Sequence, residues 1–342
     1  MIRAFYVLKV IATACAIAMC SLAHAQERPK IGAAVYGLKA EFMQLWAAAL
    51  KAHPAVDAGD VELTIFDGAY DEQTQADQFQ RMIGDDFDAI LFVPIDEALG
   101  AQLVQLAHDA GIPVIGSNTR VDSDLLAAYI GSDDVEAGYL EAKHVLDQMA
   151  CSGNVVILEG PIGQSAQISR LKGNQKALAE CPDVRVLEQA TANWQEPAAR
   201  TLMATWLTAH GTGINGVIGQ NDEMALGALA AYQDAQLDPG VVAFAGIDGV
   251  TDALHAVERG EMTSILQDAV AQSQGALDLA LHRLDATYAP RSDVWTRYPS
   301  MPWNGGTDAE YVVPWTPVTA TNVGQLLSDR AALQAAADAA GG

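Results

Sequence analysis

The sequence has little positive charge: 19 lysines and arginines stand against 43 aspartates and glutamates, which gives a formal net charge of −24. Such a chain repels nucleic acid and anionic lipid surfaces, and no basic patch offsets the repulsion. We therefore expect no nucleic-acid partner. The acidity says little more about the ligand, because a high net charge also keeps a secreted protein soluble.

Sequence motifs for catalysis and metal binding are also missing. The chain has no C-x-x-C pair and no G-x-S-x-G elbow, and its histidines lie scattered without the spacing of metal ligands. The acids Glu159 and Asp248 come without a recognisable hydrolytic mechanism. We predict neither an enzyme nor a bound metal or cofactor.

Cysteine is scarce, and only two of the four cysteines lie beyond residue 25. Cys151 precedes a predicted strand at 155–158, and Cys181 follows a predicted helix at 166–179. In a strand–helix unit both points lie at the same end of the layer, within bridging distance. We predict a structural disulfide between them.

The N-terminal segment is the longest apolar run and predicts export. Arg3 and Lys9 precede an apolar run at 10–22 that is too short to span a bilayer, and small residues at 23 and 25 suit a signal peptidase. We predict a signal peptide over 1–25, cleavage after Ala25 and a periplasmic location. An N-terminal membrane anchor fits less well, because no charged flank follows the apolar run. A lipoprotein would be lipidated at Cys20, but Met19 is a poor residue directly before a lipidated cysteine.

Beyond this segment, short apolar runs alternate with amphipathic helical stretches. The runs are nearly continuous in apolar residues, as expected for parallel strands covered on both faces by helices. The alternation restarts after Ser132, which predicts an α/β protein with two similar doubly wound lobes. A Pro- and Gly-containing aromatic segment at 289–306 predicts a loop, and the Ala-rich end after Gln325 predicts a short surface helix or a frayed tail.

Polar and aromatic side chains follow most of the predicted strands, at the edge where parallel sheets bind ligands. Carboxylate, amide, guanidinium and aromatic groups together suit a neutral polyhydroxyl ligand, whose hydroxyls both donate and accept hydrogen bonds. Taken singly, each residue also fits a structural role: Asp222 fits a helix N-cap, for example, and Asn118 fits a turn. Their joint placement favours a binding site. The residues include Tyr36, Phe42, Asn118, Thr119, Glu159, Gln164, Arg170, Trp194, Gln220, Asn221, Asp222, Glu223, Asp248 and Gln267.

Several motifs resemble the ribose-type periplasmic sugar-binding proteins. The stretch G-Q-N-D-E-M-A-L-G-A-L at 219–229 is specific to this group and the related sugar-responsive repressors, and G-I-D-G follows at 246–249. The motifs at 111–115, at 129–134 and at 159–166, the last followed by Arg170, fit the same family. The resemblance extends to about residue 284.

The resemblance implies two Rossmann-like lobes, joined by three crossovers, that close over a small sugar in the cleft between them. It places residues 26–132 and about 268–300 in the N-terminal lobe, 133–267 and about 307–325 in the C-terminal lobe, and 326–342 in a tail. It also implies a monomer that delivers its ligand to an ABC transporter permease in the inner membrane. The ligand-binding positions of the family fall on Tyr36, Phe42, Met43, Asn118, Thr119, Arg170, Trp194, Asn221, Asp248 and Gln267.

Departures from the ribose pattern bear on the ligand. Asn118 replaces an acid, Thr119 an arginine and Met43 an aromatic residue. We therefore expect another small neutral sugar or polyol: a pentose, a pentitol or a cyclitol such as inositol. Alternatives are a ligand sensor that feeds a chemoreceptor or sensor kinase and, less well supported, a secreted carbohydrate-acting enzyme. A repressor would need a basic helix-turn-helix before Lys30, and none is present.

Overall fold

Two six-stranded sheets form the framework of the computed structural model, which describes residues 28–340. The predicted signal peptide and its cleavage site lie outside the described residues. The strands are β1 (Lys30–Val35), β2 (Glu62–Asp67), β3 (Ala89–Val93), β4 (Val114–Ser117), β5 (Ala128–Gly131), β6 (Gly153–Glu159), β7 (Val184–Thr191), β8 (Gly216–Gly219), β9 (Ala243–Asp248), β10 (Thr263–Leu266), β11 (Glu310–Val312) and β12 (Thr316–Pro317).

Helices flank both sheets and cover their faces. They are α1 (Glu41–Lys51), α2 (Pro54–Asp57), α3 (Glu72–Gly84), α4 (Glu97–Asp109), α5 (Asp134–Gln148), α6 (Ser165–Leu178), α7 (Glu196–His210), α8 (Asp222–Asp234), α9 (Thr251–Glu258), α10 (Ala269–Leu284), α11 (Val294–Arg297) and α12 (Val323–Ala340). Among these described helices, none combines the length and the apolar character that crossing a membrane requires.

The sheet topology confirms the predicted fold class of two doubly wound lobes. The first sheet has the order β11-β5-β4-β3-β1-β2 and the second the order β12-β10-β9-β8-β6-β7. All pairs are parallel except the short antiparallel pair of β10 and β12. Central strands such as β3, β8 and β9 are buried along their whole length, because helices cover both of their faces.

The chain passes between the two sheets three times, after β5, after β10 and after β11. We expected residues 307–325 to belong to the C-terminal lobe, but the structure divides this segment between the two lobes. Strand β11 pairs with β5 in the first sheet, and only β12 joins the second sheet. The strand β11 has only three residues and ends near a proline, so its hydrophobic pattern in the sequence does not show which of the two sheets it joins. The strands β5 and β12 were not predicted.

Asp and Asn side chains begin five of the described helices. Each accepts a hydrogen bond from a backbone N–H of the first turn, which otherwise has no partner. The prediction that Asp222 fits the cap of α8 is wrong, because Asn221 is the capping residue and Asp222 contacts the neighbouring strands instead. The five caps are Asp71, Asp96, Asp133, Asn221 and Asp268.

The helices α5 and α6 cross at very short range because glycine occupies the contact on both. A Cβ added at Gly138 would lie 2.1 Å from the carbonyl oxygen of Arg170, and one at Gly173 would lie 2.2 Å from that of Val135. The crossing brings Arg170 on α6 to the first turn of α5. The predicted disulfide between Cys151 and Cys181, whose Cα atoms are 5.0 Å apart, closes the same lobe beyond the other ends of these helices.

The aromatic segment at 289–306 is anchored through the buried carboxylate of Asp278 on α10. This carboxylate accepts hydrogen bonds from His53 Nε2 at 3.1 Å and Trp295 Nε1 at 2.9 Å. His53 Nδ1 accepts from the backbone N–H of Ala55, so the proton of this ring lies on Nε2. Further donors to Asp278 are Tyr288 Oη, Ser292 Oγ, and the backbone N–H groups of Arg291 and Ser292.

The acidic pKa of Asp278 leads to a stability prediction. Burial alone would raise the pKa of Asp278, but the hydrogen bonds from His53, Ser292 and Tyr288 lower it to about 2. A depressed carboxyl pKa stabilises the fold above the unfolded value near 3.9, and the contribution is lost as pH falls toward 2. We expect Asp278→Asn to lower the free energy of unfolding at pH 7 by about 2 kcal/mol or more, measured by urea titration.

Asp308→Asn, at an exposed aspartate of the same C-terminal region, is the matched control and should leave the midpoint unchanged. The difference between the two variants should shrink as the titration is repeated at pH 5, 4 and 3. Equal stability of both variants at pH 7 would contradict the role given to Asp278.

Candidate functional site

A narrow cavity lies between the lobes, at the carboxyl ends of the strands of both sheets. The residues that line it come from both lobes. Nine of the ten residues predicted for ligand binding line this cavity, and all nine are buried. They are Tyr36, Phe42, Asn118, Thr119, Arg170, Trp194, Asn221, Asp248 and Gln267.

Met43 is the exception. It is fully buried in the hydrophobic core and does not line the cavity. Successive residues of a helix point about 100° apart, so Phe42 and Met43 on α1 face different surroundings.

The guanidinium of Arg170 is the most highly connected group of the site. Its Nε donates to Asp134 Oδ1 at 2.9 Å, its Nη1 to the carbonyl oxygen of Gln220 at 2.5 Å, and its Nη2 to Gln267 Oε1 at 3.2 Å. Burial works against the charge, but Asp134 and then Asp248 outweigh this effect and hold the pKa of Arg170 above its ordinary value. The guanidinium is therefore a fixed cation against one wall of the cavity.

Two buried polar groups of the cavity wall, the carboxylate of Asp248 and the Nε2 of Gln267, make no hydrogen bond within residues 28–340, although Asp248 forms a long ion pair with Arg170. No donor within residues 28–340 hydrogen-bonds to the carboxylate of Asp248, whose Oδ1 lies 3.8 Å from Arg170 Nη2. The Nε2 of Gln267 is buried, and it too has no acceptor among the described residues. Burial raises the pKa of Asp248 well above its ordinary value, while Arg170 acts in the opposite direction. Buried polar groups without partners are costly, so these two are the best candidates for ligand contact.

Aromatic side chains form the apolar walls. Trp194 Nε1 donates to Gln164 Oε1 at 2.6 Å, and the indole ring lies 5.4 Å from the guanidinium carbon of Arg170. The ring occupies space beside Gly160, where an added Cβ would lie 2.0 Å from Trp194 Cζ2. Phe42 lines the opposite lobe's part of the wall.

The two residues that replace the ribose-type acid and arginine are engaged within their own lobe. Asn118 Nδ2 donates to Gln272 Oε1 at 3.2 Å, and Thr119 Oγ1 donates to the carbonyl oxygen of Pro94 at 2.8 Å. Asn118 adopts a left-handed backbone conformation with φ of +61°, which asparagine tolerates better than most residues. Its Oδ1 accepts no hydrogen bond from the described residues, so it is the part of the side chain left for a ligand.

Hydrogen bonds join the two lobes on both sides of the cavity. On one side, Gln164 Nε2 donates to the carbonyl oxygen of Pro94 at 3.1 Å. On the other side, Glu41 Oε1 accepts from the backbone N–H of Thr251 at 3.0 Å, and Glu223 Oε1 accepts from the backbone N–H of Glu41 at 3.0 Å. Burial in this contact raises the pKa of Glu223 to about 7. The lobes are therefore closed over the site.

Three lining residues were not among the ten ligand positions that the family resemblance implies: Ala40, Gln164 and Ala166. Gln164 stood in the sequence at a strand end and carried a usable signal, but its position as the residue before α6 also suggests a cap. The two alanines offer no polar signal. Within residues 28–340, no three His, Cys, Asp or Glu side chains come together as a metal site would require.

Two α/β lobes that close over a small polar cavity define a ligand-binding protein of the two-lobed type. The family model of the periplasmic binding protein domain matches residues 31–287. The chain belongs to this family.

Individual relatives agree with this assignment. The chain is 39% identical over 221 residues to a xylitol-binding protein of Mycolicibacterium smegmatis. The aligned region covers 64% of this chain and 62% of the relative, which is less than two thirds of the relative's length. It is 33% identical to a putative rhizopine-binding protein of Rhizobium meliloti over 80% of this chain and 89% of the relative. These relatives are binding proteins by name, not enzymes.

A solved structure is similar across nearly the whole fold. An ABC transporter solute-binding protein from Bacillus halodurans, with bound myo-inositol, superposes with a TM-score of 0.76 at 29% identity. The match covers 88% of this chain and 98% of that chain. A periplasmic solute-binding protein from Actinobacillus succinogenes with bound D-allose gives a TM-score of 0.73 at 28% identity, over 87% and 99% of the two chains.

The contact of Gly160 with the indole predicts the effect of a single methyl group. Gly160→Ala should push Trp194 out of its place beside Arg170, because the new Cβ overlaps the ring. We expect a shift of the tryptophan fluorescence maximum and a loss of ligand affinity of about tenfold or more. Gly84→Ala, at a helix end with open space around the position, is the matched control. An unchanged spectrum and affinity in Gly160→Ala would contradict the place given to the Trp194 ring.

Proposed function

We propose that the chain is a periplasmic substrate-binding protein that captures a small neutral sugar or polyol by lobe closure and delivers it to an ABC importer. One observation carries the proposal: the carboxylate of Asp248, which accepts no hydrogen bond from the described residues, and the unpaired Nε2 of Gln267 line one cavity between the lobes. A ligand that both donates and accepts hydrogen bonds would satisfy these two groups together.

The hydrogen-bond inventory of the cavity favours hydroxyl groups. Most protein donors are already engaged: Arg170 with Asp134, Asn118 with Gln272, and the indole of Trp194 with Gln164. The groups without hydrogen bonds from the described residues include both acceptors, namely the carboxylate oxygens of Asp248 and the Oδ1 of Asn118, and donors, namely the Nε2 of Gln267 and the hydroxyl of Tyr36. A polyol supplies donors to these acceptors, whereas an anionic ligand would meet a carboxylate without a donor.

The apolar walls and the size of the cavity limit the ligand further. The C–H face of a ring or short carbon chain can pack on Phe42 and Trp194, which buries apolar area on both sides. The narrow space between the lobes favours a small ligand over an oligosaccharide. The similarity to a xylitol-binding protein and to a structure with bound myo-inositol supports a pentitol or a cyclitol as the ligand.

The predicted signal peptide with cleavage after Ala25, the disulfide of Cys151 and Cys181, and the family support a periplasmic location. We propose a monomer whose closed form is read by an inner-membrane permease. A role in sensing would use the same closed form. Deletion of the gene distinguishes the two roles: loss of growth on the ligand favours import, and loss of a transcriptional or chemotactic response with normal uptake favours sensing.

Ligand identity is tested on the mature protein by thermal shift and isothermal titration. The panel contains xylitol, ribitol, myo-inositol, ribose, D-allose and, as an anionic comparison, glucuronate. Saturation at about a hundred times the dissociation constant should stabilise the native state by about 2.7 kcal/mol, which raises the melting temperature clearly. We expect a neutral member to bind and glucuronate to fail. Failure of every neutral member would overturn the proposal.

The carboxylate of Asp248 is tested by Asp248→Asn. Asparagine keeps the shape and tolerates the positive φ of +119° at this position, whereas alanine would add backbone strain. We expect affinity for the identified ligand to fall about 10- to 100-fold, because a charge-assisted hydrogen bond is lost. Asp183→Asn, in an exposed turn, is the matched control. Equal affinity of the two variants would remove Asp248 from the site.

A further inference from the structure

The C-terminal helix α12 lies outside the part of the chain that matches the family model, yet it packs against both lobes. It contacts α1 of the first lobe and α9 of the second. Leu327 packs with Leu254 of α9, and Leu333 packs against the cluster that contains Leu45 of α1. The sequence predicted a short surface helix or a frayed tail here; the helix forms and is partly exposed, and it also bridges α1 and α9.

Beneath α12 lies the turn that presents Asp248 to the cavity. Asp248 has φ of +119°, a conformation that its surroundings have to maintain, and Gly249 has φ of +68°, which glycine adopts without strain. One side of the turn is held by the first residue of α8: Asp222 Oδ2 accepts from the backbone N–H of Val250 at 3.0 Å and from Ser264 Oγ of β10 at 2.8 Å.

The other side of the turn is held by Arg330 of α12. Its Nη2 donates to the carbonyl oxygen of Gly249 at 2.5 Å. Burial lowers the pKa of Arg330, while Glu41, Asp222, Asp268 and Asp248 act in the opposite direction. A half-buried cation among these acids, bonded to the residue next to Asp248, is well placed to fix the direction of that carboxylate.

We propose that Arg330 is a positioning residue for the ligand-binding carboxylate of Asp248. Together with Asp222 it clamps the turn 248–250 from two sides, so that the carboxylate points into the cavity without an internal hydrogen bond. The helix α12 carries this arginine to the turn only while it packs against α9 and α1. The specific role for binding rests on the proposed function, but the clamp itself does not.

Binding measurements test the proposal through a double-mutant cycle with the neutral ligand identified above. Arg330→Met keeps much of the stem and removes the donor, and we expect affinity to fall about tenfold, the equivalent of one lost hydrogen bond. Arg330→Lys, which can still donate to a carbonyl oxygen, should recover most of it. Arg200→Met, which breaks an exposed pair with Asp234 on the far side of the second lobe, should bind as the wild type does.

The cycle separates positioning from general support of the fold. If Arg330 acts through Asp248, adding Arg330→Met to Asp248→Asn should cost at most about twofold in affinity, because the carboxylate it positions is already gone. Equal losses in both backgrounds would overturn the proposal, as would wild-type affinity in Arg330→Met.

Amide hydrogen exchange without ligand keeps the clamp testable even if no sugar binds. The amides of Val250 and Thr251, bonded to Asp222 and Glu41, should exchange faster in Arg330→Met than in wild type, while those of β3 in the other lobe should not change. Unchanged exchange at 250 and 251 would overturn the proposal. A wild-type protein that binds no neutral sugar, but shows this local effect, would refute the proposed function and leave the clamp in place.

Discussion

The buried guanidinium of Arg170 is the group on which the geometry of the site depends, because it touches all three connections between the lobes. Asp134 directly follows the first crossover, Gln267 lies in the second, and the ring of Trp315 in the third lies 5.7 Å from the guanidinium carbon. Desolvating an arginine is expensive, and the cost is offset here by a carboxylate, a carbonyl oxygen and an amide oxygen in direct contact. Removing the arginine would leave buried acids unpaired at the point where the lobes meet.

Three residues of the site have strained backbone conformations that packing has to maintain. Asn118, Trp194 and Asp248 all have positive φ, a conformation that is unfavourable for residues other than glycine. Asn118 directly follows β4, Trp194 lies three residues beyond the edge strand β7, and Asp248 is the last residue of β9. Packing around the strand ends maintains these three unfavourable backbone conformations, and the three side chains line one cavity as a result.

Much of the site could be predicted from the sequence because it lies at strand ends, and strand ends follow from the alternation of apolar runs and helices. Asn118, Asp248 and Gln267 were found in this way. Met43 was a wrong expectation, since family position alone does not say which face of α1 is turned to the cleft. The anchoring role of Asp278 and the packing of α12 were not predictable, because both depend on contacts between residues far apart in the chain.

The ligand selectivity of this cavity follows from which hydrogen-bonding groups are already engaged within the protein. Because Asn118 donates to Gln272 and Thr119 to Pro94, the positions that carry an acid and an arginine in ribose-type proteins are turned partly inward in this chain. Of the free acceptors named above, two are the carboxylate oxygens of Asp248 in the second lobe, and the third is the Oδ1 of Asn118 in the first lobe. A ligand that concentrates its donors at one end is therefore favoured over one that needs charged partners at both ends. Ligand affinity therefore depends on the direction of the Asp248 carboxylate, and restraint of the turn 248–250 keeps that direction fixed.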